Sequence, residues 1–160
     1  MLTQERKNNF LAILREELIP AMGCTEPIAL AYAAAKARAL LGAEPEHILA
    51  QCSGNMIKNV RCVQIPNSGG MIGIEAAVAL GAFGGDPGRG MEVLESVTQE
   101  HRNQVHAFLR GKGCRVEYLD SDIPLHFIIT ETAGQDTVTV EVRYSHTNLC
   151  LLYTSSASFS

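Results

Sequence analysis

Thr137-Val138-Thr139-Val140-Glu141-Val142-Arg143-Tyr144 alternates without a break, with Val138, Val140, Val142 and Tyr144 on one face and Thr137, Thr139, Glu141 and Arg143 on the other. A period of two is the signature of a half-buried strand, and the polar row predicts that one face of its sheet is wet. Just upstream, Ala133-Gly134-Gln135 separates this strand from an apolar run over Leu125 to Thr130, which predicts an antiparallel pair joined by a short turn. Cys114 to Leu119 reads as another strand, and so do His47 to Cys52, bounded by Pro45 and Ser53-Gly54-Asn55, and Arg61 to Ile65.

Between these strands the period changes to that of a helix. Thr3 can cap a helix whose apolar positions Phe10, Ile13, Leu14 and Leu18 follow helical spacing, with Pro20 ending it. Thr25 is a good N-cap, Glu26 and Pro27 suit a first turn, and the Ala-rich run Ile28 to Leu41 continues until Gly42 offers a left-handed stop. A helix is predicted over Met71 to Phe83, and a polar surface helix over Met91 to Arg110, stopped by Gly111. Gly69, Gly73, Ala77, Gly81 and Gly85 recur at every fourth position, the pattern of a helix that another helix approaches closely. The spacing fits neither G-x-G-x-x-G nor the P-loop, so it is not a phosphate cradle. The fold class expected is α+β, with helices packed on short mixed β-sheets.

At 160 residues, 46% hydrophobic and 19% charged, the chain has the length and composition of one globular domain. Its formal charge of -4 comes from scattered acids, which argues against nucleic-acid and membrane-surface partners. The N-terminus lacks the basic-then-apolar order of a secretory signal, so a cytoplasmic protein is expected. The five cysteines, at 24, 52, 62, 114 and 150, form neither a disulfide framework nor a CxxC knuckle. Cys150-Leu-Leu-Tyr-Thr-Ser155 matches what one reading frame of a transposon end encodes, so 150–160 is expected to be a non-native tail and 1–149 a fragment, the truncated N-terminal part of a larger fold.

Cys24 leads the chemical candidates. A thiol just before a helix feels the positive end of the macrodipole and free N–H groups, which favour the thiolate, the form that binds metal or attacks. The alternative is an inert, buried thiol. Two polar clusters sit beside expected turns, Ser53-Gly54-Asn55 with Lys58-Asn59, and Ser145-His146-Thr147-Asn148 at the end of the last strand. Either can hold a polar substrate on a rigid scaffold, and either can be plain turn chemistry.

Taken together, these pieces resemble the L-cysteine desulfidase family, also labelled serine dehydratase alpha-like. The resemblance is carried by Met22-Gly23-Cys24-Thr25-Glu26-Pro27 with its Ala-rich helix, Ser53-Gly54-Asn55 with Lys58-Asn59-Val60, Ile65-Pro66-Asn67 with the glycine-spaced helix, and Ser145-His146-Thr147-Asn148, in that order. It implies a lyase that β-eliminates L-cysteine to hydrogen sulfide, pyruvate and ammonia, with L-serine as an alternative substrate. It also implies a 4Fe-4S cluster held by three cysteines, of which only Cys24 can be carried over, the other ligands lying outside the fragment. Cys52, Cys62 and Cys114 fall outside the family's motifs and read as structural thiols. Lys58, if burial lowers its pKa, and His146 are the candidates for the base that takes the Cα proton. Thr25, Ser53, Gly54, Asn55, Asn59 and Asn148 would hold the amino-acid substrate, while Glu26 would either pair with its ammonium or stabilise the helix start. Lys58 as a Schiff-base lysine for pyridoxal phosphate lacks an accompanying phosphate loop. A non-catalytic module, its glycine stripe a homo-oligomer contact, is the competing reading from a different class.

Overall fold

The computed structural model describes residues 3–17, 24–146 and 148–156. In chain order it runs α1 (Gln4–Glu17), α2 (Thr25–Leu41), β1 (His47–Ser53), α3 (Gly54–Val60), α4 (Gly73–Gly84), a 3-10 segment (Pro87–Ser96), α5 (Gln99–Arg110), β2 (Cys114–Leu119), β3 (His126–Ala133), β4 (Asp136–Arg143) and β5 (Leu149–Ser156). The strands form one mixed sheet in the order β2-β1-β3-β4-β5, parallel only between β1 and β2, so the architecture is α+β as expected.

Alternation along the strands decides which face the helices cover. Ile48, Ala50 and Cys52 of β1, Phe127 and Ile129 of β3, and Val138, Val140 and Val142 of β4 are all buried beside α2 and α4. Burial of each large side chain in this row, Phe127 or Ile129 for example, contributes about 1.5–3 kcal/mol. Glu131 shares the row and is 0% exposed, with neither carboxyl oxygen bonded among the described residues. On the opposite face Gln51, Ile128, Thr130, Thr137 and Thr139 are half-buried. Glu141, expected to be wet, is instead buried, because His126 and Arg143 both bond its carboxylate.

α2 and α4 carry the closest approach in the fold. A Cβ on Gly81 would lie 2.1 Å from the Ala31 carbonyl oxygen, and one on Gly85 would lie 3.0 Å from the Ala35 Cβ. The glycine stripe is therefore a helix contact over its second half. Gly69 and Gly73, with φ of 72° and 92°, serve the preceding turn and the start of α4 instead.

Several sequence expectations change. The strand predicted over Arg61 to Ile65 is absent; Gly54–Val60 is helical, Ser53 caps it by accepting a hydrogen bond from the Met56 N–H at 3.4 Å, and only an isolated bridge joins Gln64 to Ile72. Met56 and Val60, one turn apart, bury the face that makes this short helix worthwhile. The surface helix expected over Met91 to Arg110 is split. Gly90 has φ 56°, Met91, Val93 and Leu94 are buried, and Thr98 caps a new helix, α5, through a capping box with His101. Thr25 is the first residue of α2 and Cys24 occupies the cap position, whereas Gly42 stops the helix in the left-handed conformation expected of it.

Thr3 caps α1 as expected, its hydroxyl accepting from the Arg6 N–H, but Phe10, Ile13 and Leu14 are about half exposed rather than packed on the core. Leu18, the stop at Pro20 and the connection to Gly23 lie outside the described residues. Much of the segment expected to be a non-native tail pairs with β4 as the edge strand β5, and 157–160 lie outside the described residues.

Candidate functional site

Strand directions gather most of the polar segments at one end of the sheet. β1 ends at Ser53, and the registers Cys52 with Phe127 and His126 with Arg143 bring the start of β3 and the end of β4 to that end. α2 runs the other way along β4. Leu40 and Leu41 near its C-terminus line a groove with Asp136, Thr137 and Val138, while Glu26 in its first turn feels the charge of His146. The start of α2 is thus brought within electrostatic reach of His146, which lies more than a hundred residues away in the chain.

Cys24 is exposed and is not in a disulfide. It borders an open cleft of about 560 Å³ whose remaining wall is the loop 64–70. This loop contains the Pro66-Asn67 piece of the resemblance, so the fold brings two of the quoted motifs to one opening. Asn67 holds the loop against the end of the 3-10 segment. Its φ is 54°, its amide donates to the Leu94 and Val97 carbonyls at 2.9 and 3.0 Å, and its own oxygens accept from Arg102. Asn67 was not among the site residues read from the sequence, where it entered only as part of the Ile65-Pro66-Asn67 piece and as a turn former before Ser68-Gly69-Gly70.

The thiol itself behaves against expectation. Cys24 Sγ donates to Glu26 Oε2 at 3.1 Å, and the Thr25 hydroxyl donates to the same oxygen at 3.4 Å. Partial desolvation, and then the bond to the Glu26 carboxylate, raise the Cys24 pKa instead of lowering it. Desolvation, with the hydrogen bond and charge of the carboxylate behind it, outweighs the backbone N–H groups of Glu26 and Thr25 that favour the thiolate. The same hydrogen bond holds the Glu26 carboxyl below its ordinary value, with the charge of His146 assisting. Glu26 is thus an acceptor for Cys24 and Thr25, a role not assigned to it from sequence.

The other candidates divide. Ser53 is 1% exposed and its hydroxyl is committed twice, to the Met56 N–H as a cap and to the Pro124 carbonyl at 2.7 Å, so it organises the site and is not free for a substrate. Gly54, Asn55 and Lys58 are exposed and Asn59 is half-buried. The burial on which Lys58 depended as a base is therefore missing. Asn148 is exposed and donates to the Arg143 carbonyl at 3.1 Å. Cys52 and Cys114 have their thiol pKa values pushed up to about 12, by burial first and by the Glu75 carboxylate second, which fits structural thiols. Cys62 is exposed. Among the described residues no three His, Cys, Asp or Glu side chains gather closely enough to hold a metal by themselves. Nor is any helix among them long and apolar enough to cross a membrane.

Fold and site together define an α+β domain with an exposed, carboxylate-bonded cysteine at a helix start, facing an open cleft. The chain is similar to UPF0597 proteins: it is 44% identical over 151 residues to one from Treponema denticola, covering 94% of this chain and 35% of the relative. It is 45% identical over 139 residues to one from Fusobacterium nucleatum, covering 87% and 33%, and 44% identical over 142 residues to one from Finegoldia magna, covering 88% and 34%. The chain spans about a third of the length of these curated relatives. No family model and no solved structure matches it.

Proposed function

We propose that this chain supplies Cys24 and a set of substrate-holding groups to an iron–sulfur-dependent lyase that converts L-cysteine to hydrogen sulfide, pyruvate and ammonia. The name of the relatives does not speak to chemistry, so the reading rests on this chain's own motifs and on their arrangement. The observation that carries it is the position of Cys24, an exposed thiol on the lip of an open cleft, hydrogen-bonded to the Glu26 carboxylate.

That donor set fits one protein ligand of a 4Fe-4S cluster, since the thiol is accessible; ligation would displace its proton to solvent and break the hydrogen bond to Glu26. The remaining ligands would come from polypeptide beyond this chain. When bound, such a cluster supplies an open iron site as a Lewis acid for the departing sulfur. Exposed Asn55 and Asn148 and half-buried Thr25 and Asn59 have the hydroxyl and amide groups that hold a substrate carboxylate and ammonium. His146, close enough to Glu26 for its charge to act there, is the better placed of the two base candidates for the Cα proton, since Lys58 is exposed on α3. L-Serine, whose hydroxyl leaves from the same carbon, is the alternative substrate.

The test is anaerobic iron and sulfide reconstitution of a polypeptide of the relatives' full length carrying this chain, with and without Cys24→Ser, followed by assays of sulfide release from cysteine and pyruvate release from serine. A cluster lost in the variant, with sulfide released by the parent, is expected. An unaltered cluster in Cys24→Ser excludes the thiol as a ligand, and pyruvate from serine without sulfide from cysteine changes the substrate.

A further inference from the structure

His126, the first residue of β3, is 7% exposed and its ring is bonded at both nitrogens. Nδ1 lies 2.7 Å from Ser121 Oγ and Nε2 lies 2.7 Å from Glu141 Oε1, which also accepts from Arg143 Nε at 2.6 Å. With Glu141 ionised, Nε2 donates to it, Nδ1 shares a hydrogen bond with the Ser121 hydroxyl, and the Ser121 oxygen accepts from the Ile123 N–H at 3.2 Å. The loop 120–125 between β2 and β3 is thereby closed on the sheet, and two bonds leave it in different directions. Its Pro124 carbonyl accepts from Ser53 Oγ at 2.7 Å, and its Leu125 carbonyl accepts from the Tyr144 N–H at 2.9 Å.

Each of those bonds holds one polar segment. Ser53 caps α3, which carries Asn55, Lys58 and Asn59. Tyr144 sits at φ 67°, a left-handed conformation that is strained for a non-glycine residue and turns the chain out of β4. The segment that follows is tied back by the Ser145 N–H and the Asn148 side chain, both donating to the Arg143 carbonyl. We propose that His126 is a positioning residue: by locking the β2–β3 loop it makes the Ser53–Asn59 segment and the residues Ser145, His146 and Asn148 one rigid site instead of two independent turns. The proposal rests on the reading that these two segments hold the substrate. A buried His–Glu pair is a costly way to fill space that apolar side chains could fill, and its benefit here is a single arrangement of the groups it bonds.

Hydrogen exchange measured by NMR on the chain as it stands tests this. In His126→Ala, exchange at the Met56 amide and at the Asn148 amide should accelerate together by at least ~10-fold, as expected when one cooperative unit opens. His126→Gln, whose amide can still bridge Ser121 and Glu141, should restore both. Val105→Ala, a buried truncation on α5, should leave the ratio of these two amides to the core unchanged. Should His126→Ala fail to fold, Ser121→Ala removes one bond of the lock, and the same paired acceleration is expected. Acceleration at only one of the two amides, or equal acceleration in Val105→Ala, overturns the coupling. If the paired response is present while the full-length protein releases neither sulfide nor pyruvate, the lyase reading falls and the coupling of the two segments stands.

Discussion

Glu131→Gln should make this protein more stable at neutral pH, and the gain should depend on pH in a way that identifies its cause. Glu131 is 0% exposed, no described group bonds its oxygens, and burial pushes its pKa from 4.5 up to about 9, against a smaller lowering by Arg38. Below pH 4.5 the carboxyl is protonated in both the folded and the unfolded chain, so it adds no pH-dependent penalty. Between pH 4.5 and about 9 the unfolded chain releases a proton that the folded chain keeps, so stability falls as pH rises. One pH unit in that window costs about 1.4 kcal/mol, hence about 3 kcal/mol by pH 7, a large part of the ~5–15 kcal/mol typical of a domain. Glutamine cannot ionise and escapes this loss. Urea unfolding of both proteins at pH 5, 6, 7 and 8 should show the difference between them moving in favour of Glu131→Gln at close to that slope. Parallel stability profiles would show that Glu131 is not a buried, protonated acid, and would remove it from the core row of β3.

Gly81→Ala should destabilise by at least ~2 kcal/mol, because overpacking of a close helix contact forces backbone apart; a urea midpoint equal to the parent's would refute the α2–α4 approach. Glu26→Gln removes the carboxylate that supplies two of the three causes raising the Cys24 pKa, so the pH profile of iodoacetamide alkylation at Cys24 should move to lower pH, and an unmoved profile would dissociate Glu26 from the thiol. Cys52 and Cys114, with pKa values of about 12, should stay unmodified in the native protein at pH 8 while Cys24 and Cys62 react, as read by peptide mass spectrometry; Cys52 alkylating as fast as Cys24 would contradict its burial.

The misreadings of local structure share one origin. Gly54–Val60 contains two turn formers at its start, and nothing in a seven-residue window shows that the Ser53 hydroxyl will cap a helix whose Met56 and Val60 have a place to be buried. The break between the 3-10 segment and α5 is likewise a competition between continuing a helical period and starting afresh at the Thr98 cap, and tertiary burial of Val93 and Leu94 decides it. Cys24 shows the same limit at the site. Its place before α2 was legible, but its raised pKa comes from desolvation and then from the way the Glu26 side chain turns, and both are matters of three-dimensional geometry.

Backbone periodicity was enough to reveal the α+β class, the turn at Ala133-Gly134-Gln135, the stop at Gly42 and the close face of α4, because each follows from local sterics or from a repeat of two or four residues. Only the assembled sheet brings His146 to Glu26, the loop 64–70 to Cys24, and Ser121, His126 and Glu141 into one bonded group. These are contacts between residues distant in the chain, set by strand order and register, and no local pattern encodes a register before the strands have paired.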